Sequence, residues 1–131
     1  MKELALRLHY GDDLLKEISK ACSDSTGIVL SGVGCVYKLH LRLAKAEDYI
    51  EVTDDFEITS LTGTVSHGKC HIHGCFSDNK GNTIGGHICE GCLINTTCEL
   101  VIGILEDYDS AREFDEKTGY NEIVFRRIKN D

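Results

Sequence analysis

The chain has 131 residues, 41% hydrophobic and 27% charged, an ordinary balance for one domain that buries a single core without staples. Fourteen Lys and Arg against 22 Asp and Glu leave a net charge of −8, the wrong sign for gripping a phosphate backbone, so autonomous DNA binding is disfavoured. No apolar run approaches the ~20 residues of a membrane span, and the alternating N-terminus MKELALRLHYGDD is not a signal peptide. Residues 1–131 are therefore expected to form one cytoplasmic domain.

Residues 2–8 alternate, with Leu4, Leu6 and Leu8 on one face, and predict a strand. In GDDLLKEISKAC, Asp12 or Asp13 caps a helix whose Leu14, Leu15, Ile18 and Cys22 or Ala21 recur at helical spacing. IVLSGVGCVYKLHLRLA, residues 28–44, is broken by glycine and reads as two strands around Gly32–Gly34, with His40 a surface or satisfied structural histidine. YIEVTDDFEITSLTGTVS, residues 49–66, predicts a strand pair turning at Asp54–Asp55. Phe56, Ile58, Ser60 and Thr62 then share one face, and Glu57, Thr59, Leu61 and Gly63 the other. Further on, LINTTCELVIGILEDY is a β-branched run suited to a central strand, SAREFDEKTGY predicts a short helical turn, and NEIVFRR a last strand. Two acidic clusters, at 47–57 and 106–116, read as solvated faces, and the tail FRRIKN is the locally basic stretch. With no proline and 13 glycines, turns fall to Gly, Asn and Asp. One main helix and about seven strands on short turns make an α+β domain with an antiparallel-rich sheet.

Residues 69–92, KCHIHGCFSDNKGNTIGGHICEGC, hold three of the six histidines and four of the seven cysteines. Asp78 can start a turn through Asn79 and Lys80, with Gly81 in the left-handed position of a bulged three-residue hairpin loop. That register pairs Asp78 with Asn82 and sets His73 opposite His87 and His71 opposite Cys89. His71 and His73, two apart, share a face, and directly opposed residues share it too, ~4.5–5.5 Å between Cβ atoms. A two-residue loop would flip His87 to the other face. Three imidazoles with a free fourth position form a zinc ligand set; the plainer alternative is a polar sheet face.

An odd number of cysteines in a chain with no export signal points to thiols or metal ligands rather than disulfides. By parity Cys75 and Cys89 share the histidine face, so Cys89 is a candidate fourth ligand that would close the site. Against that stands the ordinary role of free cysteine as a filler of small buried gaps. Cys89-Glu90-Gly91-Cys92 lacks a second C-x-x-C and opens no helix, so a thioredoxin-like reading is weak.

LRLHYGDDLLKEI, FEITSLTGTVS, CHIHGCFSDNKGNTIGGHI and GCLINTTCELVI occur in that order and resemble the motifs of the PPC domain (plants and prokaryotes conserved) over about residues 2–128. The resemblance implies a strongly bent, antiparallel-rich sheet, a homotrimer, and metal ligation by the histidines of H-x-H and G-G-H, here His71, His73 and His87. Plant members carry an AT-hook before the domain and are nuclear regulators; no AT-hook precedes the match here, which points to the stand-alone prokaryotic type. Where family members often have Gly-Arg before F-E-I, this chain has Asp54-Asp55, which puts any contact of that arginine in doubt.

Three functions follow as expectations. The first is a zinc-binding, non-enzymatic regulatory or interaction module, with zinc favoured though other divalent transition metals accept the same donors. The second is a small zinc enzyme, for which Glu99 or Glu90 would be the nearest candidate site carboxylate. DNA association, suggested by the family's DNA-binding label, is the third, and the acidic charge opposes it.

Overall fold

Which face of each strand is buried follows from its apolar alternation, and the way the strands pair follows from three bulged ladders. The computed structural model describes residues 1–128; Lys129 and Asn130 of the basic tail lie outside them. The elements are β1 (Lys2–His9), α1 (Leu14–Ala21), β2 (Thr26–Arg42), β3 (Tyr49–Ser66), β4 (Lys69–Ser77), β5 (Thr83–Ile88), β6 (Leu93–Ile104), β7 (Tyr108–Asp115) and β8 (Tyr120–Arg127). Six strands form one antiparallel sheet in the order β1-β6-β2-β3-β4-β5, and β5 also pairs with the end of β2. The β2–β3–β4–β5 part of the sheet thus closes on itself. β7 and β8 make a separate hairpin. No helix among the described residues is long and apolar enough to cross a membrane.

Asp13 caps α1 by accepting from Lys16 N at 3.1 Å, while Asp12 turns back to accept from His9 N at 2.8 Å. The helix buries Leu14 and Ile18 against a core that includes Leu39, Leu41, Ile72, Phe76, Ile88 and Leu100.

Three stretches differ from the sequence expectation. Residues 28–44 and 49–66 are not strand pairs: β2 is a single strand of 17 residues and β3 one of 18. Bulges near Val36/Lys38 and Ile58/Ser60 let these long strands bend without breaking. The second bulge adds one residue and shifts the phase, so Leu61 is buried beside Phe56 and Ile58 rather than opposite them. Asp54 and Asp55 lie within β3, where Asp55 accepts from Asn95 Nδ2 at 3.2 Å. The predicted helical turn at 110–120 is instead the β7–β8 hairpin, which brings the strands to eight. Its base is fixed by a buried hydroxyl chain: Ser110 Oγ lies 2.6 Å from Thr26 Oγ1 and donates to Ser66 Oγ at 2.8 Å. His67 Nε2 adds a 2.8 Å contact to Asp109 Oδ1.

Candidate metal centre

The turn between β4 and β5 sets everything that follows. Asp78 Oδ1 accepts from Lys80 N and Asn82 N, each at 2.9 Å. Gly81 N donates to Asp78 O at 3.0 Å with φ +80°, the left-handed conformation glycine adopts freely. The Lys80 N–H, and then Asn82, hold the Asp78 carboxyl below its ordinary pKa. With Asp78 paired to Asn82, the ladder runs Ser77↔Thr83, Cys75↔Gly85 and His73↔His87.

Along β4, Ile72, Gly74 and Phe76 point into the core, and His71, His73 and Cys75 point outward. On β5, Ile88 is buried and His87 takes the outer face. β5 then joins β2 through Leu41↔Ile88 and Arg42↔His87. Gly86 permits that approach, because a Cβ there would stand 2.8 Å from the Arg42 carbonyl oxygen. One outward row therefore crosses four strands as Thr62, His73, His87 and Arg42. The three imidazoles converge: ring centroids are 5.0, 5.5 and 5.6 Å apart, and one nitrogen of each lies within 4.8 Å of the others.

His87 Nδ1 is buried with no hydrogen-bond partner among the described residues, a state that costs ~1–3 kcal/mol and that coordination to a cation relieves. Burial, followed by the charge of Arg42 and the neighbouring imidazoles, pushes the His87 pKa down to about 4. Burial first, then His73 and Arg112, lowers that of His71 as well, against a smaller opposing pull from Glu122. Both rings are thereby kept neutral, the form that ligates a metal. Donor type, convergence and the orphaned nitrogen all fit a transition-metal ion.

The other sequence candidates fall elsewhere. Cys89 does not continue the ladder opposite His71, because beyond His87 the chain follows β2, with Cys89 N donating to His40 O at 3.0 Å. Its thiol faces the His87 carbonyl at 3.8 Å, outside the donor cluster, and burial raises its pKa, which disfavours thiolate. Glu99 is exposed on β6 between Arg7 and Val33, on the far part of the sheet. Glu90 uses its carbonyl on His40 Nδ1 at 2.7 Å and its carboxylate near Lys16. The carboxylate that does reach the histidines' surroundings is Glu122 of β8, which lines a cleft of about 1020 Å³ together with the triad, Arg42 and Arg112. Glu122 and Arg112 escape a reading by spacing, since a separate hairpin delivers them from far along the chain.

Residues 1–106 match the Plants and Prokaryotes Conserved (PCC) domain. The chain belongs to that family. A curated relative, the bifunctional protein GlmU of Synechococcus sp. (strain JA-3-3Ab), is 37% identical over 127 residues, 94% of this chain and 20% of that protein. The chain thus spans about a fifth of the length of the curated relatives it matches. Among solved structures, a hypothetical protein from Salmonella superposes with a TM-score of 0.92 at 30% identity, covering 96% of this chain and 94% of that one. The metal-containing protein from Archaeoglobus fulgidus gives 0.76 at 29% identity, covering 95% and 94%. A candidate DNA-binding protein from Ralstonia eutropha gives 0.75 at 21% identity, covering 92% and 89%, a likeness of fold alone. The PCC fold and the histidine cluster therefore stand together in this chain.

Proposed function

We propose that this PCC-family chain is a zinc-binding module in which His71, His73 and His87 hold the ion and its remaining position opens on the cleft. The observation that carries this reading is the convergence of three imidazoles, one of which, His87, has a buried Nδ1 with no hydrogen-bond partner among the described residues. A metal-containing relative at 29% identity supports it. Zinc suits a neutral three-imidazole set that leaves one position open, though nickel, copper or iron accept the same donors. Metal analysis of protein purified without chelators should find about one zinc per chain, and close to none in His73→Ala. Equal metal content in the two would overturn the assignment.

The same reading has the module act through association in the cytoplasm as a homotrimer. Exposed Leu30, Val33, Phe114 and Phe125 supply apolar surface for self-association. Sedimentation should give about three times the 14.5 kDa chain mass; a monomer would contradict it. DNA association is disfavoured by the net charge of −8, so no retention on DNA is expected at physiological salt.

A second reading, a small zinc-dependent enzyme, is favoured by one observation: Glu122 stands in the cleft beside the triad. Zinc supplies Lewis-acid chemistry when bound, and Glu122 would hold or move the proton. Hydrolysis of an activated ester that requires both zinc and Glu122 would establish it; zinc-loaded protein without activity leaves the module.

A further inference from the structure

The surroundings of the triad invert the charge of the whole molecule. The chain carries −8, yet among the described residues the cleft is lined by Arg42, Lys45, Lys69 and Arg112 against the single carboxylate of Glu122. Two of these cations are held by the fold. Arg42 is paired directly with His87 across the β2–β5 ladder and shares its outward face. Arg112 is carried in on β7, whose base is locked by the buried Ser110 hydroxyl contacts two residues earlier. Both residues are half-buried, and among the described residues neither makes an ion pair, whereas Arg126 on the β7–β8 hairpin is paired with Glu113 at 2.6 Å.

We propose that this cleft binds a small organic oxyanion, a carboxylate or a phosphate, clasped by Arg42 and Arg112 above the histidine triad. Clustered like charges repel, and in a partly desolvated cleft they are retained where an anion completes them. A cation on the triad adds to the same sign instead of neutralising it. The planar guanidinium fork matches carboxylate and phosphate oxygens two at a time, which a lysine cannot do. Exposed Lys45 and Lys69 at the rim serve to steer the anion inward. A volume of about 1020 Å³ accommodates a ligand with a carbon body and not merely a bare ion. The inference deepens the metal reading of the same site and rests on it for where the ligand's inner oxygen is held. The arginine pair can be tested separately from the ion.

The experiment is calorimetric titration of inorganic phosphate, and in a second arm succinate, into zinc-loaded and zinc-free protein. Wild type is compared with Arg42→Gln, Arg112→Gln and Arg126→Gln, with zinc content measured alongside. Wild type should bind at least one of the two anions, and the stronger arm identifies the headgroup class. Arg42→Gln and Arg112→Gln should each weaken binding about tenfold or more while keeping wild-type zinc content, and Arg126→Gln should change nothing. No binding of either anion, or binding unaffected by both cleft substitutions, overturns the proposal whatever the zinc content. Arginine-dependent binding by protein that takes up no zinc when zinc is supplied would uphold the oxyanion site and sink the metal reading instead. Should Arg42→Gln fail to fold, Arg112→Gln on the exposed hairpin decides the matter alone.

Discussion

Two neighbouring regions of this protein are rich in the same soft donors and have opposite fates. In the β4–β5 hairpin, three imidazoles face outward together and one nitrogen is left buried without a partner among the described residues. Where Cys89–Cys92 meets His40, the donors turn to the backbone: His40 Nδ1 is 2.7 Å from Glu90 O, Cys92 Sγ donates to His40 O at 3.4 Å, and Cys89 Sγ faces His87 O. Burial raises the Cys92 thiol to about 11 and Cys89 in the same direction, so both stay protonated at neutral pH. Donor chemistry alone does not make a ligand set. What separates the two regions is strand phase and whether the backbone has already satisfied the group.

Single substitutions in the two regions should have opposite consequences for zinc. His87→Ala should weaken zinc about 10³-fold or more in a competition titration against a chromophoric chelator, and Cys89→Ala should leave the affinity unchanged. The opposite ranking would make the thiol region the metal site. Next in size is Gly86→Val, whose side chain would collide with the Arg42 carbonyl and push β5 away from β2. Urea unfolding should show a loss of about 2–3 kcal/mol, with zinc binding impaired as His87 moves; a neutral result would deny that β5 is held this closely. Ser110→Ala should cost about 1–2 kcal/mol by breaking the buried hydroxyl chain. It should loosen the hairpin that carries Arg112 and spare zinc affinity.

A separate effect is a pH dependence. In metal-free protein His87 titrates near 4, against 6.5 for the unfolded chain. Between those values the unfolded state binds more protons, so stability rises with pH across the window and is lost as pH falls through it. His87→Asn should flatten that slope in denaturation measured from pH 7 to 4, and an unchanged slope would assign it to other groups.

The triad was legible because its determinants are local. Asp78, Lys80, Gly81 and Asn82 fix the turn within five residues, and the turn fixes the register that faces His73 with His87. The Cys89 expectation failed for the complementary reason: it extended the β4–β5 ladder past its end, where β5 changes partner to β2. Bulges in β2 and β3 are defined by pairing with distant strands, so residues 28–44 and 49–66 look broken when read alone. At 110–120, Ala111, Arg112, Glu113 and Lys117 favour helix, but the Ser110 anchor and the β8 partner outweigh propensity. Arg112 and Glu122 reach the cleft through that same misread hairpin, which is why the charged half of the site was not visible.

Whether imidazoles and not thiols hold the proposed ion is tested directly by X-ray absorption at the zinc edge of loaded protein. A shell of about three imidazole nitrogens is expected, with any further ligand a light atom, all at ~2.0–2.1 Å, and no sulfur. A sulfur shell at ~2.3 Å would contradict the assignment.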